Sequence, residues 1–271
     1  SMVQNLNKAG YPVTIYTRTQ SKVQDLLDNG IQWANTVKEC IENKDIIMTM
    51  VGYPSDVEDI YFGKDGILNN ARPGSICIDF TTSSPKLAIK IYNEALKKGI
   101  ESLDAPVSGG DVGAKNATLS IMVGGNKDTY NKVYPLFKTL GETINYVGNA
   151  GFGQHTKMAN QIIIAGTLAG VVEAIHYGHQ TGLDMETMMK CISQGAAGSW
   201  QLEHNGQAIL NNNFQPGFYI KHFIKDMKIV QDEMNHHHTH LDVLDTVIKM
   251  YEKLNENESG TQALIHYYEE N

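Results

Sequence analysis

From Lys157 to about Gln180 the chain is apolar on nearly every helical face, and no other feature constrains its fold as tightly. Met158, Ile162, Ala165, Ala169 and Val172 recur at steps of three and four residues, while Ile163, Ile164 and Leu168 fill the remaining faces. A helix of that character has no face to give to water, so it is expected to lie buried between two bodies of protein. One charge stands at its mouth. The stretch Gly151-Phe152-Gly153-Gln154-His155-Thr156-Lys157 puts a lysine where water thins out, followed by Asn160 and Gln161 at i+3 and i+4. Desolvation lowers a lysine pKa toward neutrality, which a proton-transfer group working near pH 7 needs. Taken alone, the ordinary account is a first-turn lysine whose head reaches solvent.

The residues before that helix read differently. Val13–Tyr16, Asp45–Met50, Ser75–Asp79 and Ile100–Leu103 are short apolar runs of strand character, separated by helical patterns at Ser21–Leu27, Thr36–Ile41, Pro54–Tyr61 and Ser84–Lys97. Such alternation predicts a parallel, doubly wound α/β sheet, which Thr118–Val123 and Thr143–Val147 extend around a helix near Asp128–Leu140. Strand signals then stop. Helical patterns follow at Met185–Ser193, Trp200–Leu210, Phe218–Met234, Leu241–Leu254 and Gln262–Tyr268. A boundary near Ala150 therefore divides a domain of residues 1–150 from an all-α domain of residues 151–271, and 271 residues suit two cores better than one.

A second chemical stretch is Asp104-Ala105-Pro106-Val107-Ser108-Gly109-Gly110, which ends the strand at Leu103 with a hydroxyl and two glycines in what reads as an open loop. Free backbone N–H groups and the Ser108 hydroxyl hold an anionic group without burying another cation, so Ser108, Gly109 and Gly110 are candidate carboxylate anchors. As a lone Ser-Gly-Gly turn the stretch would say nothing.

Together these motifs resemble the β-hydroxyacid dehydrogenase family, which includes 3-hydroxyisobutyrate dehydrogenase, tartronate semialdehyde reductase and related semialdehyde reductases, with a dinucleotide-binding half of the 6-phosphogluconate dehydrogenase type. The likeness spans the chain in order: Tyr16-Thr17-Arg18-Thr19, then Asp79-Phe80-Thr81-Thr82-Ser83-Ser84-Pro85, Asp104 to Gly110, Gly151 to Asn160, and Phe223-Ile224-Lys225-Asp226-Met227. The resemblance implies a Rossmann-type sheet followed by a helical domain, with Lys157 as general acid and base for hydride transfer between a nicotinamide and a short hydroxy acid. Asn160 or Gln161 then orients Lys157 or the substrate. Met50-Val51-Gly52-Tyr53-Pro54 resembles the family's loop over the adenosine ribose, and Thr82 corresponds to its nicotinamide-side threonine. Lys225 is implied to close on the cofactor from the second domain, held by Asp226; a plain surface ion pair is the alternative. The family commonly carries asparagine four residues after the lysine, whereas here Asn160 is at three and Gln161 at four, which bears on substrate size more than on chemistry.

A dinucleotide fold normally opens with a strand and a G-x-G-x-x-G turn, yet Ser1-Met2-Val3-Gln4-Asn5-Leu6 resembles the middle of the helix after that turn. The first strand and the glycine-rich loop are absent from this chain. What remains still speaks to the cofactor. Enzymes preferring the unphosphorylated form usually place an acid after the second strand, but here Tyr16 leads into Thr17-Arg18-Thr19 with Lys22 close behind. Arg18 and Lys22, with the Thr19 hydroxyl, suit a 2′-phosphate, so NADP(H) is expected over NAD(H).

The remaining features narrow the class. A formal charge of −8, from 22 basic and 30 acidic residues, argues against a nucleic-acid surface. Cys40, Cys77 and Cys191 are odd in number and widely spaced, which predicts neither a disulfide framework nor a zinc site and fits a reducing cytoplasm. No signal peptide is evident, and no run reads as long enough to span a bilayer. His236 and His240 share a helical face, but no acidic or cysteine partner has matching spacing, so a metal is not expected. Trp200 and Phe214 to Phe218 are expected to pack the helical domain, with Trp200 as a wall of the substrate pocket the alternative. Its apolar content, with Tyr267 and Tyr268 near the end, predicts a homodimer or homotetramer. A decarboxylating sugar-phosphate enzyme would need a larger helical half. A non-catalytic dinucleotide-binding protein on the same fold is the remaining alternative, although such proteins usually lose the lysine.

Overall fold

The computed structural model describes residues 1–269 and divides into two compact units, Ser1–Lys157 and Met158–Asn271. The first unit runs α1 (Met2–Lys8), β1 (Thr14–Ile15), α2 (Gln24–Asp28), β2 (Gln32–Trp33), α3 (Val37–Ile41), β3 (Ile46–Thr49), α4 (Pro54–Phe62), α5 (Ile67–Asn70), β4 (Ile76–Asp79) and α6 (Pro85–Lys97). It continues through β5 (Glu101–Asp104), β6 (Val107–Ser108), α7 (Gly110–Asn116), β7 (Leu119–Gly125), α8 (Lys127–Phe137) and β8 (Gly141–Gly148). The long α9 (Phe152–Thr181) starts in this unit and runs into the second, which holds α10 (Met185–Ser193), α11 (Gln207–Leu210), α12 (Ile220–His236), α13 (Asp242–Leu254) and α14 (His266–Glu269).

Helix starts follow local chemistry. Pro54 and Pro85 occupy first-turn positions of α4 and α6, where a missing N–H costs nothing. The Asn126 side chain accepts from the N–H groups of Asp128 and Thr129 at α8, and Asp184 accepts from Thr187 at α10.

β3, β4 and β5 lie in parallel with Ile46 opposite Ile76 and Ile76 opposite Glu101. Ile78 and Phe80 face one core with Val133, Leu136 and Phe137 of α8, while Cys77 faces the other with Val57 and Tyr61 of α4 and Leu87 and Ile91 of α6. Both faces of the sheet are thus covered by helices, as a doubly wound sheet requires.

Two departures from the expected single parallel sheet are evident. Among the described residues β1 pairs only with β2, so the strands form a two-stranded and a six-stranded sheet. A dinucleotide strand order would seat another strand between β1 and β3, and the described residues supply none. The second departure is direction. β7 runs antiparallel to β5 and to β6, and parallel only to β8. β5 and β6 are two pieces of one passage broken at Ala105-Pro106, where the proline lacks an N–H for the ladder and instead its carbonyl accepts from Met122.

In the second unit Ala165, Leu168, Val172 and Ile175 of α9 pack with Phe223, Met227 and Val230 of α12 and Leu244, Val247 and Tyr251 of α13. The helix is not buried all round, however. Ile163 is 69% and Tyr177 64% exposed, and Val243 is exposed beside Gly166, so an apolar stripe faces outward. A further correction concerns length. α9 begins five residues before Lys157 and reaches 30 residues, and it is the one helix among the described residues long and apolar enough to cross a membrane. Residues 201–206, expected as part of one α-helix, are a π-helix; a side chain at Gly206 would strike Met189 Cε at 2.7 Å, so the widened turns bring the backbone close to α10.

Candidate active site

The candidate site of the first unit is built at the C-terminal ends of β3, β4 and β5. Asp79 and Asp104 are register partners there, and both are buried. The Thr49 hydroxyl donates to Asp79 Oδ1 at 2.8 Å and the Thr81 N–H at 3.1 Å. The Val51 N–H in turn donates to Thr81 Oγ1 at 3.0 Å. This knits the loop after β3 to the loop after β4, and so puts Met50, Val51 and Thr82 on one rim.

Burial pushes the Asp79 carboxyl up to about 6 against the pull of the Thr81 and Thr49 hydrogen bonds, with the Asp104 charge adding to the rise. A raised folded pKa means that the folded state holds the proton longer than the unfolded state. Between the ordinary value of 3.8 and about 6 the folded state therefore binds more protons, and this group's contribution to stability falls as pH rises through that window, then levels. The span is about 3 kcal/mol at most. Asp79→Asn keeps an acceptor for Thr49 and Thr81 but cannot ionise, so its urea midpoint should gain on the parent's between pH 4.5 and 7. An unchanged difference between the two proteins would refute the assignment.

Lys157 lies in the second turn of α9 rather than at its mouth, because the helix begins at Phe152. Its side chain is well inside the protein, at 6% exposure. The turn before it is tied to the sheet: Asp104 Oδ1 accepts from the Gly151 N–H at 2.8 Å and Oδ2 from the Gln154 N–H at 2.9 Å. Gly151 sits at φ +89 and a Cβ there would meet Ile89 and the Pro85 carbonyl, so glycine is needed on both counts. The Gln154 amide reaches back to the loop after β4, accepting from the Ser83 N–H and donating to the Thr81 carbonyl, each at 2.8 Å.

The segment carrying Ser108, Gly109 and Gly110 is not an open loop. Ser108 belongs to β6 opposite Ser120, Gly109 caps with φ +127, and Gly110 already starts α7. The first turn of a helix has no intrahelical acceptor for its N–H groups, and this segment leads into one. Gly109 and Gly110 are exposed and Ser108 half-buried.

Arg18, Thr19 and Lys22 are all exposed, Thr19 capping the 3-10 turn Gln20–Val23. Sequence reading missed a partner. Asp56 of α4, 38 positions further on, lies 3.2 Å from Arg18 and also accepts from the Tyr53 N–H. Nothing local in the sequence signals this, because the pair joins the ends of β1 and β3. The residues fit a dinucleotide: beside the rim of Met50, Val51 and Thr82, the Ser83 hydroxyl is buried with no hydrogen-bond partner among the described residues, a group that a bound polar ligand would satisfy.

In the second unit the remaining candidates form one connected set. Lys225 Nζ is 2.7 Å from Asp226 Oδ1; the Asp226 side chain is buried and that of Lys225 is 12% exposed, so the pair is no plain surface contact. Gln161 Nε2 donates to Asp226 Oδ2 at 2.7 Å, and the Asn160 amide donates to Gln161 Oε1 at 2.7 Å. Gln161 is thus used at both ends, and Asn160 is the more exposed of the two. Trp200, expected in the core, is exposed and stacks on His204 with ring centroids 4.3 Å apart. Among the described residues no three histidine, cysteine or acidic side chains are grouped to hold a metal.

Comparison with known proteins agrees with this architecture. Residues 1–148 match the family described as the NAD binding domain of 6-phosphogluconate dehydrogenase, and residues 151–268 match that described as the NAD-binding domain of NADP-dependent 3-hydroxyisobutyrate dehydrogenase. An uncharacterised oxidoreductase of Bacillus subtilis, YkwC, is 49% identical over 97% of this chain and 93% of its own length. The 2-hydroxy-3-oxopropionate reductase of Escherichia coli is 36% identical over 84% of this chain and 78% of its own. Among solved structures, Mycobacterium tuberculosis 3-hydroxyisobutyrate dehydrogenase with L-serine superposes with a TM-score of 0.90 at 27% identity, covering 98% of this chain and 94% of that one. With its Rossmann-type first unit, its helical second unit and these matches along both, the chain belongs to the β-hydroxyacid dehydrogenase family and is an NAD(P)-dependent oxidoreductase of hydroxy acids.

Proposed function

We propose that the protein interconverts a short 3-hydroxy acid, or a related hydroxy acid, and its semialdehyde, with NADP(H) preferred over NAD(H) and Lys157 moving the proton. The observation that carries the reading is the buried Lys157 amine on a helix whose first turn is tied to the ends of β4 and β5. When bound, the nicotinamide supplies the hydride chemistry. In the reducing direction Lys157 polarises the carbonyl oxygen and gives it a proton; in the oxidising direction its neutral amine takes the hydroxyl proton. The Ser108 hydroxyl and the N–H groups of Gly109 and Gly110 hold the substrate carboxylate, and Asn160 orients the reacting end.

Arg18 and Lys22, with Thr19, hold the 2′-phosphate. The Arg18–Asp56 pair does not stand in the way: Arg18 is 78% exposed, and an exposed pair is worth only about 0–1 kcal/mol, less than a charge-assisted bond to phosphate. Met50 and Val51 flank the adenosine ribose, Thr82 the nicotinamide, and Lys225 closes on the cofactor with Asp226 holding it. The outward stripe of Ile163, Tyr177 and Val243 supports self-association as a homodimer or homotetramer, for which a solution mass above the 30.0 kDa of one chain is expected.

The test is dinucleotide oxidation by the full-length protein against a panel of semialdehyde acids, including the semialdehydes of 3-hydroxyisobutyrate, tartronate and succinate. NADPH should support turnover at least about tenfold better than NADH, and Arg18→Ala should abolish most of that preference. Equal use of both cofactors would remove the 2′-phosphate assignment. Tight NADPH binding without turnover on any panel member would favour a binding role.

A further inference from the structure

We infer that Asp104 is a positioning residue for Lys157: from the end of β5 its carboxylate holds the first turn of α9 against the sheet, and Gln154 carries that hold to the loop after β4, so the amine is presented from one fixed place. The inference rests on the proton-transfer role proposed above for Lys157.

Each Asp104 oxygen takes a different N–H of the same turn, Gly151 on one and Gln154 on the other, from a residue 47 positions upstream. A carboxylate at the N-terminus of a helix is favoured by the helix dipole as well as by these bonds. Stability alone does not require this arrangement, since a serine or threonine on the helix itself would cap the same donors. Asp104 instead remains at 5% exposure, where burial pushes its carboxyl up in spite of the N–H groups from Gly151 and Gln154.

The packing around it leaves no slack. A Cβ at Gly124 of β7 would stand 2.6 Å from Asp104 Oδ1 and 2.7 Å from the Gly153 nitrogen. At Gly153 it would stand 2.7 Å from Asp104 Oδ2 and 2.5 Å from the Met122 carbonyl oxygen. Strand end, carboxylate and helix turn therefore meet with no side chain between them. Gln154 is fully buried, and its amide joins Ser83 and Thr81 on the loop that carries Thr82. Lys157 follows three residues later, about 4.5 Å along the axis. A shift of about 1 Å at a reacting group costs up to about a hundredfold in rate, so a turn anchored at two strand ends is placed to matter for kcat.

The experiment compares four full-length proteins: parent, Asp104→Asn, Lys157→Ala and the double variant. Asparagine is nearly isosteric but turns one acceptor oxygen into an NH2 facing a backbone N–H. The expected result is a kcat lower by about tenfold or more, with the aldehyde KM and the NADPH Kd each within about threefold of the parent's. In the Lys157→Ala background the same substitution should cost nothing further, because it acts through the lysine. A kcat within about twofold of the parent's overturns the inference, as does an equal loss in both backgrounds, which would mark a general disturbance of the fold. If Lys157→Ala itself retains turnover, the proton-transfer reading fails, and this inference with it. Should Asp104→Asn not fold, Gln154→Met, which keeps the backbone N–H to Asp104 but loses both amide bonds, reads the same split between kcat and KM.

Discussion

Lys157→Ala should lower kcat by about two to four powers of ten while leaving the NADPH Kd within a factor of about two. The size follows from the role proposed for the residue removed, a proton donor and acceptor, in a setting where bulk water is a poor substitute because the side chain is buried. The selectivity for kcat follows from where it sits. Of the residues assigned to the cofactor, Arg18, Thr19, Lys22, Met50, Val51 and Thr82 follow β1, β3 and β4 and Lys225 lies on α12, whereas Lys157 lies on α9. Pre-steady-state reduction and a direct binding titration separate the two quantities. Turnover within about tenfold of the parent's would sink the assignment. Lys157→Arg should not rescue, because a guanidinium stays charged at any working pH and cannot act as the base.

Asp226→Ala should cost the second unit about 3–5 kcal/mol, read as a fall in its urea midpoint. Asp226 has no exposure, and its two oxygens serve Lys225 and Gln161 at 2.7 Å each. Truncation leaves the buried Gln161 amide without its acceptor and the Lys225 ammonium without the countercharge 2.7 Å away, and each loss is expensive beside a fully buried position. Asp226→Asn should cost less, since one acceptor oxygen survives. A loss below about 1 kcal/mol on truncation would show that water or another group replaces the carboxylate, and that Lys225 is not held in the way proposed. Because the chain has two units with one tryptophan in each, Trp200 fluorescence in a Trp33→Phe background is the better probe of the second unit than a global signal.

Much of the first unit was legible from the chain. Strands such as Ile46–Thr49 and Ile76–Asp79 announce themselves because both faces of a parallel strand are buried, which leaves a run of apolar residues. Helices α4, α6 and α8 carry their own start signals in Pro54, Ser84-Pro85 and Asn126. The two-residue strands β2 and β6 were not legible, because Gln32-Trp33 and Val107-Ser108 have no periodicity to read; they are strands only because β1 and β7 lie alongside. α9 starts five residues before the expected Lys157 for a related reason. Gly151-Phe152-Gly153 is a poor helix former by propensity, and it is the Asp104 carboxylate that holds those residues in the first turn.

The same division runs through the candidate site. By itself the sequence determined the α/β first half and helical second half, the lysine in an apolar helix and the basic pair after β1, because periodicity, side-chain chemistry and motif order are local properties. Only the tertiary structure decided that Asp56 faces Arg18, that Gln161 is spent on Asp226, and that Asp79 and Asp104 stand side by side under the helix that carries Lys157. Those pairings join residues 25 to 65 positions apart through single hydrogen bonds, ion pairs or register contacts. A hydrogen bond requires placement within a few tenths of an ångström, and no local pattern in a chain specifies that; packing of the completed sheet and helices does.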